Sequence, residues 1–286
     1  MRWAQIISAI VRFRTLPRAE RVFAGLPPRT WLSRPYLGSQ LWVDVGRSST
    51  ERLLFLEGAR LSPELDLLAG LLAPGNRVAD VGANIGYYTL AFAAAVGPTG
   101  AVESIEPMPE NLETLERNVR ANDLRQVRVH RCAVGAEDRP TRLQPGFNAT
   151  VNQSGTLEVP MRRLDSLLPD GVDLVKIDIE GYEGHALAGA QQLLSRSRPA
   201  LFIELHPGLV EPPYSITKIL DDLSGLYGEV DLWRPRPENS LASKVRGRYG
   251  PSRLERVRPD DPGWSALREG RHDVPFWAIC RRPPRG

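Results

Sequence analysis

The run Asp80-Val-Gly-Ala-Asn-Ile-Gly86 puts a carboxylate, two glycines and an asparagine where a short apolar segment gives way to a helical pattern. Glycines at such a turn let the backbone approach a ligand closely. Asn84 tolerates the left-handed conformation that otherwise favours glycine. The spacing Gly82-x-x-x-Gly86 is not the Gly-x-Gly-x-x-Gly of a dinucleotide site, where a pyrophosphate rests on a helix N-terminus. Asp80 would repel a pyrophosphate and suits a ligand with a cationic end and no phosphate. S-adenosylmethionine, with its ammonium and sulfonium, is such a ligand. Glu106 ends a second apolar segment 26 residues after Asp80, where an acid accepts hydrogen bonds from both hydroxyls of a ribose. Asp178, Glu180 and Glu183 surround Gly181, and Glu204 and His206 stand two apart. These are side chains able to accept or move a proton.

The elements that must position these groups alternate. Residues 77–82 read as a buried strand, 85–95 as a helix, 101–105 as a second strand and 109–122 as a helix with Leu112, Leu115 and Val119 on one face. Residues 127–133 alternate apolar and polar as a third strand, and 140–162 read as short strands and turns. A fourth strand over 174–178 leads into a helix over 183–194, and a fifth strand covers 201–205. Later strands are predicted at 230–233 and 276–280. Strand–helix alternation of this kind builds βαβ units, hence a parallel sheet wound with helices on both faces. Residues 1–60 lie outside the pattern. There Ile6, Ile7, Ile10, Val11 and Phe13 predict an amphipathic helix with Arg2, Arg12, Arg14, Arg18 and Arg21 on its other face. That basic face is either solvated on a helix packed against the core or a peripheral contact with an acidic membrane surface.

The 286 residues suffice for one or two domains with no covalent staple. Two cysteines, Cys132 and Cys280, exclude a disulfide framework and a Cys-based zinc site and fit a reducing cytoplasm. No apolar run approaches the ~20 residues of a membrane helix, and no small-residue cleavage site follows an apolar N-terminal core, so no signal peptide is expected. The net charge of +3 divides into +6 over 1–60, −6 over 61–210 and +3 over 211–286. With an acidic middle and no stripe of aromatic and basic residues, no nucleic-acid partner is expected despite a pI near 9.0.

Three longer motifs carry a resemblance. Residues 80–89, Asp-Val-Gly-Ala-Asn-Ile-Gly-Tyr-Tyr-Thr, resemble the first motif of FkbM-type methyltransferases. Glu106-Pro-x-Pro-x-Asn111, continuing through Leu115, Asn118 and Asn122, resembles their second. The segment 173–183, with Lys176-Ile-Asp178-x-Glu180-Gly-x-Glu183, resembles their third, and Ile203-Glu-Leu-His206 the close of their fifth strand. The resemblance spans roughly 55–210, in family order. One departure is Ser62, which precedes Pro63 where many relatives carry an acid. The resemblance implies an α/β fold of the class I methyltransferase, Rossmann-like, doubly wound kind: seven strands, the last antiparallel, plus an N-terminal helical extension. A helical or extended lead-in over 1–60 and a methyltransferase domain over 61–286 with a loop-rich end are expected. It implies S-adenosylmethionine as methyl donor, a hydroxyl of a sugar or secondary metabolite as acceptor, and cofactor-binding positions at Asp80, Gly82, Asn84, Gly86 and Glu106, with Ala133 near the adenine.

Methyl transfer is an in-line displacement on an already activated carbon, so a protein supplies chiefly alignment. A hydroxyl acceptor also gives up a proton. Asp178 is the first candidate to position the acceptor or take that proton, with Glu180 second and His206 an alternative base. Lys176 shares the side of Asp178 at strand period and is read as its buried ion-pair partner. By analogy with catechol O-methyltransferase, Asp178, Glu204 and His206 would be the set to hold a metal, but no close-spaced ligand motif supports one and none is expected. His130, His185 and His272 are read as structural. Two rival readings are a nicotinamide-dependent oxidoreductase, opposed by the glycine spacing and Asp80, and an inactive cofactor-binding scaffold subunit, opposed by the intact turn at Asp178-x-Glu180-Gly181.

Overall fold

A computed structural model describes residues 23, 25–58, 63–146, 148, 150–151, 154–235, 254–261, 263–271 and 274–282. The basic helix expected near the N-terminus and His272 lie outside the described residues. Strands β1 (Trp31–Tyr36) and β2 (Ser39–Asp44) form a two-stranded hairpin. It turns at Leu37 and Gly38, both at positive φ, the pairing that matches the twist of flanking strands. Helix α1 (Ser49–Glu57) follows, capped by the Ser48 hydroxyl on the Glu51 amide, and then the short α2 (Leu65–Ala69).

The βαβ pattern then unfolds in chain order. It comprises β3 (Arg77–Val81), α3 (Tyr87–Val96), β4 (Ala101–Ile105), α4 (Pro109–Ala121) and β5 (Val127–His130). A second, four-stranded sheet intervenes, made of β6 (Ala133–Val134), β7 (Arg139–Gln144), β8 (Thr150–Val151) and β9 (Leu157–Arg162) in the order β6-β9-β7-β8. Helix α5 (Leu164–Leu167), β10 (Leu174–Ile177), α6 (Glu183–Ala188), α7 (Gln191–Ser197), β11 (Ala200–Leu205) and α8 (Ile216–Tyr227) complete the parallel part. The tail adds β12 (Asp231–Pro235), β13 (Leu254–Val257), α9 (Trp264–Arg268) and β14 (Phe276–Cys280).

The main sheet runs β13-β12-β14-β11-β10-β3-β4-β5. Strands β11, β10, β3, β4 and β5 are mutually parallel, and β14 enters antiparallel between β11 and β12. Among the described residues the sheet therefore has eight strands where seven were expected, because β13 adds itself antiparallel outside β12. Strands of a parallel sheet are covered on both faces and read as unbroken apolar runs. Val78 and Leu174 pack with Tyr88, Phe92 and Val96 of α3 on one face. Val81, Val175 and Ile177 pack with Ala186, Leu193, Ile219 and Leu220 of α6, α7 and α8 on the other. Each such aliphatic side chain contributes roughly 1.5–3 kcal/mol on burial.

Two elements differ from their sequence reading. The expected strand over 127–133 ends at His130, and Ala133 instead pairs with Met161 in the second sheet. The expected helix over 183–194 is broken into α6 and α7 at Gly189 and Ala190. A Cβ on Gly189 would meet the Gly135 carbonyl at 2.0 Å, so this turn lies directly on the second sheet. The Asp165 carboxylate accepts from the amides of Gln192 and Leu193, satisfying the N-terminus the break creates.

Candidate active site

Chain order climbs the sheet one way through β3, β4 and β5 and the other way through β10 and β11. The reversal falls between β3 and β10, and open α/β sheets bind ligands at that point beyond the carboxyl ends of the strands. A cleft of about 390 Å³ lies there, within the range of small-molecule sites. Gly82, Asn84, Glu106, Ala133, Asp178, Glu180 and His206 all line it. These are seven of the nine positions named from sequence.

Glu106 is 4% exposed. It accepts from the Asn84 amide at 2.9 Å, the Met108 amide at 2.9 Å and the Asn111 side-chain amide at 3.2 Å. Burial raises its pKa and these donors pull it back, leaving it above the ordinary value. Asn84 is left-handed at φ 50°. Gly82 has φ 77°, and a Cβ there would strike the Asp178 carbonyl at 1.9 Å. Glycine at this position is what lets the loop after β3 lie against the end of β10.

Asp80 and Gly86 are not among the cleft-lining residues. Asp80 is fully buried, accepts from the Thr89 hydroxyl at 2.7 Å and lies 3.6 Å from the Lys176 ammonium. The reason is register: Asp80 stands opposite Lys176 on one side and Ser104 on the other, so its side chain shares their inner face. Its carboxylate pairs with Lys176, whose ammonium in turn bonds the Gly82 carbonyl of the loop. Gly86 opens α3 at φ 90°, and a Cβ there would meet Leu115 of α4 at 2.6 Å.

Lys176, 1% exposed, bonds the Gly82 carbonyl at 3.1 Å and lies 3.3 Å from Asp178. It thus joins β10 to the glycine loop and is the ion-pair partner expected of it. Burial lowers its pKa, but the charges of Asp178, Asp80 and Glu204 outweigh burial and raise it. Lys176 is therefore charged at neutral pH.

The acids and imidazole at the ends of β10 and β11 converge. His206 Nδ1 meets Glu183 Oε1 at 3.3 Å, and Glu183 also accepts from the Gly181 amide. His206 Nε2 faces Glu180 at 3.6 Å, Glu204 at 3.8 Å and Asp178 at 3.9 Å. Burial pushes the His206 imidazole down, but its bond to Glu183 and the charges of Asp178 and Glu180 raise it to about 9. Burial and the Asp178 charge push Glu204 up to about 8. Glu180 sits at φ 53° and Gly181 at φ 99°, with the Leu209 carbonyl 2.0 Å from where a Gly181 Cβ would be. This left-handed turn aims Glu180 back at the cleft.

Sequence reasoning did not assign Glu64 to the site. It lines the cleft and accepts the Tyr88 hydroxyl; its place directly after Pro63 was the available signal. Thr50, Leu53 and Leu54 of α1, and Leu143, Asn148 and Val151 of the second sheet, close the cleft's other walls. No sequence pattern marked them. His130 bonds Glu103 at 2.7 Å, and His185 stacks on Tyr182 with ring centroids 4.0 Å apart.

Fold and site together define a Rossmann-like domain with a buried acid and a glycine loop at its switch point. The sequence profile of the Methyltransferase FkbM domain matches residues 80–224, and the chain belongs to that family. It is 26% identical over 143 residues to Methyltransferase 1 of Beauveria bassiana, covering 39% of this chain and 57% of that one. It is 50% identical over 60 residues to the tRNA (adenine(58)-N(1))-methyltransferase TrmI of Thermus thermophilus, covering 21% and 24%. The chain thus spans less than two thirds of either relative. Among solved structures, the methyltransferase FkbM of Methylobacillus flagellatus aligns over 84% of this chain and 58% of its own at 19% identity, with a TM-score of 0.43. S-adenosylmethionine is the cofactor of this domain. The residues present suit it: Gly82 and Asn84 of the loop after β3 line the cleft, and a buried Glu106 carboxylate opens on it.

Proposed function

We propose that the protein transfers the methyl group of S-adenosylmethionine to a hydroxyl of a sugar or secondary metabolite. The observation that carries this reading is Asp178. Its carboxylate opens on the cleft directly beside the Gly82 cradle and is fixed there by a charged Lys176. S-adenosylmethionine, when bound, supplies an electrophilic methyl carbon on a sulfonium. Glu106 and the Gly82–Asn84 loop bind its nucleoside end. Asp178 orients the acceptor hydroxyl and takes its proton, while Glu180 and His206 complete the polar wall around that hydroxyl. The acceptor lies between α1 and the second sheet, whose Leu53, Leu143 and Val151 offer apolar surface and whose Thr50 and Asn148 offer hydrogen bonds. A neutral hydroxyl suits a wall this rich in carboxylates better than a phosphorylated acceptor or nucleic acid does. The free thiols of Cys132 and Cys280 support the cytoplasm as the working compartment.

Calorimetric titration with S-adenosylmethionine and S-adenosylhomocysteine, with NAD as control, tests the cofactor half of this reading. Both sulfur ligands bind, NAD does not, and Glu106→Ala weakens binding at least tenfold. A radiolabelled methyl-transfer screen of sugar and polyketide hydroxyls tests the acceptor half. Asp178→Asn retains cofactor binding and loses turnover by about 10²–10⁴-fold, the usual contribution of a positioned base. Unchanged turnover in that variant removes Asp178 from the role.

A further inference from the structure

His206 is 7% exposed, and its two nitrogens are treated differently. Nδ1 is engaged by Glu183, which is fully buried and held by the Gly181 amide. Nε2 lies on the cleft side amid three carboxylates and hydrogen-bonds to none of them, the nearest being 3.6 Å away.

The spacing has a different signature. Donors about 2.1 Å from a shared ion stand ~3.0 Å apart at a right angle and ~3.6 Å apart at 120°. The His206–Glu180 distance of 3.6 Å and the His206–Asp178 distance of 3.9 Å fall near that range. One donor atom each from Asp178, Glu180 and His206 lies within 4.8 Å of the others. The carboxylates would close by about half an ångström to reach a common ion of that bond length.

We infer that Asp178, Glu180 and His206 Nε2 form a binding site for a divalent first-row cation, with its remaining coordination positions open to the cleft. The donor set is one imidazole and two carboxylates, the mixture that manganese and its neighbours accept. Glu183 on Nδ1 is the outer carboxylate that fixes the ring of a metal-bound histidine. Glu204, the acid that analogy would have put in the set, accepts the Trp277 indole N–H on Oε2 at 3.2 Å while its Oε1 stays 3.8 Å from His206 Nε2, and the left-handed turn at residues 180 and 181 brings Glu180 nearer, to 3.6 Å. In function the ion would draw the acceptor hydroxyl into an open coordination position and ease loss of its proton. This role rests on the reading of the cleft as a hydroxyl methyltransferase site, whereas the site itself does not.

The test is direct binding of Mn²⁺ to the full chain. After dialysis against chelator, Mn²⁺ is titrated with and without S-adenosylhomocysteine and followed by electron paramagnetic resonance and calorimetry. One tight site per chain is expected, competed by Mg²⁺ or Zn²⁺, weakened more than tenfold by Glu180→Gln and by His206→Ala, and unchanged by Glu116→Gln on the outer face of α4. Absence of stoichiometric binding of Mn²⁺, Mg²⁺ or Zn²⁺ to folded protein overturns the inference, as does binding that Glu180→Gln and His206→Ala leave intact. S-adenosylhomocysteine binding in the same samples keeps the two readings apart. If it persists without metal binding, only the metal site falls. If metal binds and no cofactor does, the methyltransferase reading falls and the site stands.

Discussion

Lys176 shows how one side chain joins two functions. Its ammonium reaches Asp80, Asp178 and the Gly82 carbonyl at once while remaining 1% exposed. A buried charge of this kind depends on its partners, and removing one member of such a pair typically costs about 3–5 kcal/mol because the others are left uncompensated. Lys176→Met is therefore expected to lower unfolding free energy in urea by about that amount and to weaken cofactor binding, since the Gly82 carbonyl loses its anchor. A loss below about 1 kcal/mol would mean that Asp80 is carried neutral, not as the partner of this lysine. The same logic explains why Asp80, prominent in the sequence motif, is absent from the cleft wall: it is needed to hold Lys176, and Lys176 holds the loop.

Among the elements, α4 does more than cover the sheet. The Asn118 side chain, fully buried, donates to the carbonyls of Trp42 and Ile85 and accepts from the Trp42 amide. One turn on, Asn122 donates to the Gln40 carbonyl and accepts from its amide. Two asparagines four residues apart on a helix thus serve β2 as a neighbouring strand would, satisfying an edge that a two-stranded hairpin leaves open. The hairpin's Leu41 and Val43 then pack with Ile85 and Leu90 of the glycine loop and α3. Asn118→Ala removes three hydrogen bonds and strands buried partners, so it should cost about 3 kcal/mol in denaturant unfolding, while Asn122→Ala, at a more exposed site, costs less. If the two substitutions cost the same, the hairpin's attachment is dominated by apolar contact.

The cleft is assembled from pieces far apart in the chain: α1, the loop after β3, the ends of β10 and β11, and the second sheet. A ligand filling it ties these pieces together and is bound by the folded state alone. At a hundredfold excess over its dissociation constant such a ligand adds about 2.7 kcal/mol of stability, worth several degrees in a chain of this size. Thermal melts with S-adenosylhomocysteine at that excess should show a rise of roughly 5 °C, absent in Glu106→Ala. A ligand-independent melting temperature would show that the nucleoside end is not seated across these elements.

The alternation of strands and helices, the glycine loop, the acid ending the second strand and the turn at Asp178–Glu183 were all legible in the sequence. Each is a local feature: a periodicity, or a residue type demanded by backbone conformation within a few positions. What the sequence left open was decided by contacts between distant segments. The break between α6 and α7 depends on Gly135 and Asp165. The withdrawal of Asp80 depends on its register against Lys176, and the eighth strand on β13 finding β12. The fold brings both Glu180 and Glu204 beside His206, at 3.6 and 3.8 Å, and gives Glu204 a second partner in the Trp277 indole near the far end of the chain. Local propensities are written in neighbouring residues. Which acid faces a cleft is set by packing and hydrogen bonding across the sheet, and only the folded chain brings those partners together.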